Sequence, residues 1–175
     1  MSDWILKTEP TEYSFDQLRR EKRTVWDGVT NNLALLHLRG MRKGDRVVFY
    51  HTGNERRAVG TGRVATDPHP PAGTVNSRVL VVDVEAGDPL PRPVPLEEFR
   101  TDPVLSQTDL IRITRLSVVP LTAEQWDALM EKAGAAPRAR RSSTPRTTLR
   151  PAAPPKGKRI GGRLRRPPAV RAKKR

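Results

Sequence analysis

The chain has no cysteine. Disulfides, thiolate-held zinc and cysteine nucleophiles are therefore excluded. No apolar run approaches the ~20 residues of a membrane-spanning helix. Met1-Ser2-Asp3 is followed by only Trp4, Ile5 and Leu6 before Lys7, which does not read as a secretory leader. The expectation is a cytoplasmic protein without membrane contact, nucleoid-associated if the source is a bacterium. Histidines are few and far apart (His37, His51, His69) and lack metal-ligand spacing, so no metal is expected. Gly60 and Gly62 are not followed by the third glycine of a dinucleotide fingerprint, and neither a phosphate-binding Walker loop nor a Gly-x-Ser-x-Gly elbow occurs. No cofactor is expected. No internal repeat is visible.

Acidic residues are missing from the last part of the chain. Residues 1–135 hold 18 Lys and Arg against all 19 Asp and Glu, a net of −1. Residues 136–175 hold the other 15 Lys and Arg and no acid. From Ala135 the composition turns to Pro, Arg, Lys, Ala, Ser and Thr, without aromatics or apolar periodicity. Such a segment buries too little surface to offset its ordering entropy. The chain divides into a domain over 1–134 and a disordered basic tail over 135–175. The tail's clusters are Arg140-Arg141, Lys156, Lys158-Arg159, Arg163, Arg165-Arg166 and Lys173-Lys174-Arg175. Spaced cations without acids suit sequence-blind phosphate neutralisation on nucleic acid. A merely solubilising tail is the plainer alternative. An anionic membrane is disfavoured, because no hydrophobic anchor accompanies the charge.

Within the domain, 3–7 reads as a first strand, with Pro10 limiting it. Ser14 and Gln17 form a capping-box pattern opening a short helix. A turn at Trp26 follows, then a helix over 32–39 with Thr30 and Asn31 as cap types and Gly40 as its stop. Strands at 47–51 and 58–64 form a hairpin, and Gly60 and Gly62 leave one sheet face bare. A further strand spans 78–84. Gly87–Pro95 has four prolines and reads as an extended connection. A short helix at 96–100, a long last strand at 110–119 and a capped helix from Thr122 to Gly134 complete the domain. Strands that do not alternate regularly with helices predict an α+β fold around a small, mainly antiparallel sheet or barrel.

The stretch Thr24–Asn32 draws most attention. Trp26 offers a flat face, Asp27 an acceptor, and Gly28 a backbone free to adopt positive φ. The bland reading is a packed tryptophan before a capped helix. Trp4 and Trp126 read as packing residues. Ser14, Glu9 and His51 supply the residue types of a hydrolase, but their spacing does not demand that they meet. Lys7 and Glu9 read either as a weak surface pair or as part of a site at the end of the first strand.

Five strings occur in register: Trp4-Ile5-Leu6-Lys7-Thr8-Glu9-Pro10, Tyr13-Ser14-Phe15, Val25-Trp26-Asp27-Gly28-Val29, Phe49-Tyr50-His51-Thr52 and Arg115-Leu116-Ser117-Val118. Over residues 2–133 the chain resembles an EVE domain, of the thymocyte-nuclear-protein-like family in the PUA-like superfamily. The resemblance implies a small mixed β-barrel decorated by short helices. It also implies a non-catalytic reader with a pocket for a modified base, typically a modified cytosine, in DNA more than RNA. Carried onto this sequence, the pocket positions are Lys7, Thr8 and Glu9, then Trp26, Asp27, Gly28, Val29, Thr30 and Asn31, then Tyr50, His51 and Thr52, with Arg115 added. Trp26 and Tyr50 would supply stacking surface. Two alternatives stand beside this reading: a nucleic-acid hydrolase using Glu9 and His51, and a DNA-coating protein acting through its tail. A monomer is expected. The family string Trp-Asp-Gly-Val-Arg-Asn-Tyr is broken here by Thr30 and Asn32, and two later polar positions are Leu35 and Leu36. A cation and an aromatic are thereby lost beside the pocket.

Overall fold

A computed structural model describes residues 1–74 and 79–135. The tail with all its basic clusters, and Arg78 at the start of one expected strand, lie outside the described residues. Six strands form one mixed sheet in the order β2-β5-β4-β3-β1-β6. They are β1 (Asp3–Thr8), β2 (Arg23–Trp26), β3 (Arg46–His51), β4 (Arg57–Val64), β5 (Val82–Pro95) and β6 (Val118–Leu121). β1 runs parallel to β3, and every other pairing is antiparallel. Five short helices decorate it: α1 (Phe15–Glu21), α2 (Asn32–Gly40), α3 (Leu96–Thr101), α4 (Asp109–Arg112) and α5 (Ala123–Lys132), with a 3₁₀ turn at Leu105–Gln107. The architecture is the expected α+β one. Among these helices none is long and apolar enough to cross a membrane.

The sheet curls into a half-barrel. Trp26 of β2 and Phe49 of β3 are separated by two intervening strands, yet their rings lie 5.7 Å apart. Phe15 of α1 packs on the same Phe49, at 5.4 Å. The alternation along β3 sends Val47, Phe49 and His51 to this concave side and Arg46, Val48 and Tyr50 to the other. There, Tyr50 meets Phe99 of α3 edge-on, and the Arg46 guanidinium lies 4.3 Å over the Trp126 ring of α5. Gly60 and Gly62 are the reason the aromatic stack fits. A Cβ on Gly60 would land inside the Phe15 ring, and one on Gly62 would meet the Phe49 ring and the Glu85 carbonyl.

Local chemistry sets several element boundaries. Ser14 Oγ accepts from the Gln17 N–H at 3.2 Å and starts α1. Thr122 and Gln125 complete a reciprocal capping box at the start of α5. Asn31 Oδ1 accepts from the Leu33 and Ala34 N–H groups at 2.9 and 3.1 Å, so Asn31 rather than Thr30 caps α2. The buried Asp45 carboxylate ties the first turn together. It accepts from the Trp4 indole N–H, the Ser2 N–H and the Arg42 N–H at 3.0, 2.8 and 3.0 Å.

Three expectations are corrected. Trp26 does not sit in a turn but ends β2, which the curl of the sheet recruits against β5. Gly87–Pro95 is not a connection but the second half of β5, and the described strand starts at Val82 rather than 78. β2 covers β5 only from Val82 to Glu85, and pairing with β4 is interrupted by two register shifts. An edge with bulges is where a sheet admits proline. Finally, 110–119 is not one strand. Residues 109–112 form α4, Leu116 closes a turn onto the Ile113 carbonyl, and only 118–121 pair with β1.

Candidate functional site

Two cavities of about 540 Å³ open on the domain, and they share no lining residue. One lies between α5 and the bulged part of β5. The other gathers chain from four places: the end of β1 (Lys7, Thr8, Glu9), the following turn (Glu12, Tyr13), the end of β2 with its exit (Thr24–Val29), and Ser117. This second cavity combines Trp26 with carboxylates and hydroxyls, as an orienting site for a polar flat ligand requires.

Its walls are fixed by local bonds. Pro10 stops β1, and the chain turns as the Glu12 and Tyr13 N–H groups donate to the Glu9 carbonyl at 3.0 and 2.9 Å. Thr8 Oγ1 donates to the Tyr13 carbonyl at 2.7 Å. The Glu9 carboxylate accepts from Thr52 Oγ1 at 2.9 Å and lies over Gly53, where any Cβ would overlap it. Gly28 has φ +70, so the chain leaves β2 by a step that favours glycine. Trp26 is only 8% exposed: it packs on Phe49 and turns its remaining surface to the cavity.

Charge in the cavity is unbalanced. Glu9, Glu12 and Asp27 face a single cation, Lys7. Burial lowers the Lys7 pKa, and its ammonium donates to the Thr114 carbonyl at 2.5 Å rather than to Glu9. Tyr13 donates its hydroxyl to Glu21 at 2.6 Å, and burial, then that carboxylate, raises its pKa.

The other sequence-derived candidates lie elsewhere. Thr30 and Asn31 are exposed and do not line the cavity. Tyr50 is buried against Phe99, and burial pushes its pKa up to about 12. His51 sits under α1, where Nε2 accepts from the Phe15 N–H at 3.0 Å, so Nδ1 carries the proton it shares with Glu55 at 2.8 Å. That bond is the main cause of a lowered Glu55 pKa. Both ring nitrogens of His51 are thus engaged in structural bonds. Ser14 is spent on its cap. Thr52 supports Glu9 without lining the cavity, and Arg115 is exposed on the turn before Ser117. The structure thus brings together Lys7, Thr8, Glu9, Trp26, Asp27, Gly28 and Val29. Glu12, Tyr13, Thr24, Val25 and Ser117 join them. Tyr13 and Ser117 lay within the recognised strings, which was a usable signal. Glu12 gave none, since only the turn after Pro10 brings it to the cavity.

A family model described as EVE domain matches residues 2–132. Thymocyte nuclear protein 1 of Mus musculus is 30% identical over 162 residues, covering 73% of this chain and 71% of its own length. Among solved structures, Rpa0253 from Rhodopseudomonas palustris is 31% identical with a TM-score of 0.75, over 81% of this chain and 99% of its own. Human THYN1, in a crystal structure described as a complex with 5-methylcytosine-containing DNA, is 26% identical with a TM-score of 0.71, over 78% of this chain and 100% of its own.

Proposed function

The chain belongs to the EVE domain family, and from that premise we propose that it is a non-catalytic reader of a modified base, a modified cytosine in DNA. The domain over 1–134 holds the base in the cavity beside Trp26. The basic tail over 135–175 adds sequence-independent phosphate affinity. The protein works as a monomer in the cytoplasm, on the nucleoid if its source is a bacterium.

The observation that carries this reading is the cavity itself, which gathers Trp26 and the acidic residues Glu9, Glu12 and Asp27. A base turned out of a duplex must recover an unstacking cost of a few kcal/mol. Stacking on the Trp26 face would recover about 1–3 kcal/mol. Cytosine presents an exocyclic amine, a donor, and Glu9, Glu12 and Asp27 are acceptors when ionised. Thymine has no such amine. The human relative's complex with 5-methylcytosine DNA supports the same ligand class.

The test is a salt-controlled comparison on matched duplexes carrying cytosine, 5-methylcytosine, 5-hydroxymethylcytosine, N4-methylcytosine or N6-methyladenine. The expected result is a preference of about tenfold or more for one modified base, as one or two base-edge contacts would give. It should be kept by residues 1–135 and lost in Trp26→Ala. Equal binding to every duplex, vanishing with the tail, would overturn the reading in favour of an electrostatic coat. Release of an altered oligonucleotide would overturn it in favour of an enzyme.

A further inference from the structure

We propose that the turn 113–116, carrying Arg115 and preceded by Arg112, is a phosphate clamp that holds the nucleic-acid backbone at the mouth of the cavity. The inference rests on the reading of that cavity as a base site.

The cavity cannot hold a phosphate itself. Three carboxylates line it, and its one cation is already engaged with a carbonyl. A nucleotide whose base enters must leave its phosphates at the rim, and the rim must offset their charge. Lys7 decides which segment forms that rim. Its side chain donates to the Thr114 carbonyl at 2.5 Å, and its backbone N–H donates to the Ser117 carbonyl at 2.9 Å. Both donors of one residue therefore fasten 114–117 to the end of β1. Leu116, fully buried, pins the turn from inside, and its N–H closes the turn on Ile113 at 3.0 Å. Ser117, the next residue, lines the cavity. The turn is thus a fixed part of the mouth.

Its two arginines are exposed, and neither guanidinium has a partner among the described residues. That is not the habit of this domain. Arg19, Arg23, Arg46, Arg57, Arg92 and Arg100 each bond a carboxylate. Arg63, which lines the other cavity, is likewise held by no carboxylate among the described residues, but here Arg115 lies on the turn beside Ser117 and Arg112 stands just before that turn. A planar guanidinium matches phosphate oxygens in pairs. Lys7 is then a positioning residue that sets the clamp, rather than a reader of the base.

The measurement is the salt dependence of affinity for a short duplex with and without the preferred modified base, using the full chain. Wild type is compared with Arg112→Ala/Arg115→Ala. Phosphate contacts add affinity without sequence information. The log–log salt slope should become shallower by about 2, one unit for each lost contact. The ratio of modified to unmodified affinity should change by less than about twofold, because the lost contacts carry no base information. Arg115→Lys should restore part of the slope. An unchanged slope would overturn the clamp while leaving a wild-type base preference intact. A collapsed ratio with an unchanged slope would make Arg112 and Arg115 base readers and also overturn it. A wild type with no base preference would instead remove the parent reading. An adventitious effect on folding is separated by the thermal midpoint, which should not move, since both side chains are exposed.

Discussion

Gly60→Ala places a methyl group where the ring of Phe15 already sits. Even the outermost of the three ring carbons it meets is 2.7 Å away, against an ordinary contact of 3.4–4 Å. The ring cannot simply swing aside. It is 4% exposed and rests on Phe49, which rests on Trp26. The backbone gives little either, because Gly60 pairs with Phe49 on one side and Pro89 on the other. Overpacking of this kind costs about 1–3 kcal/mol. For a domain of this size each kcal/mol lowers the midpoint by roughly 3–5 °C, so the variant should melt about 3–15 °C below wild type. Stability alone does not identify the cause, so the decisive assay is a double-mutant cycle with Phe15→Leu. Leucine removes the two ring carbons nearest the new methyl. In that background Gly60→Ala should cost about 1–2 kcal/mol less than in wild type, a coupling typical of touching residues. Because Trp26 ends the same stack, Gly60→Ala should also weaken binding in the cavity, and the leucine should restore part of it. Equal costs of Gly60→Ala in both backgrounds would refute the account of the aromatic stack.

Asp102 tests electrostatics. The Leu105 N–H bond is the main cause of its lowered pKa, with Val104 and Lys132 adding to it against burial. A depressed carboxylate stabilises the fold above its ordinary pKa, and that stability is lost as pH falls through the lowered value. Asp102→Asn should cost about 1 kcal/mol at neutral pH and show a flatter loss of stability below pH ~4, read by urea melts across pH. Asn31→Ala should cost about 1 kcal/mol by removing the α2 cap, and Asn31→Asp should not. Asp45→Ala strands the Trp4 indole N–H and two backbone N–H groups near the first turn. It should cost about 3 kcal/mol or more in chemical denaturation.

Residues whose structure is written in their immediate neighbours were legible in the sequence. Ser14, Thr122 and Asn31 cap helices through bonds spanning two or three residues, and β3 with β4 is a short-range hairpin. The elements that were not legible depend on distant partners. Arg23–Trp26 is a strand only because β5 lies alongside it. The run from Leu110 has strand-forming residues, but the 3₁₀ turn before it starts a helix, and β1 has room for pairing only from Val118. The same division holds in the site. The chain from Lys7 to Glu9 and from Trp26 to Val29 lines one cavity. Tyr50 does not, because alternation along β3 turns it to the side where Phe99 waits. His51 falls on the favoured side of the sheet but is consumed by the Phe15 N–H, a contact between residues 36 apart in the chain.

The prolines of β5 have a consequence beyond the shape of their own strand. From Pro89 to Pro95 every second residue has no amide hydrogen to offer, and the Arg92 N–H is already given to the Ala133 carbonyl. A neighbouring molecule trying to extend the sheet along this margin would find few amides to grip. Open sheet margins are ordinarily where proteins stick to one another and fibrils begin. This margin is chemically blunted. Such a border is one that other chains cannot readily lengthen.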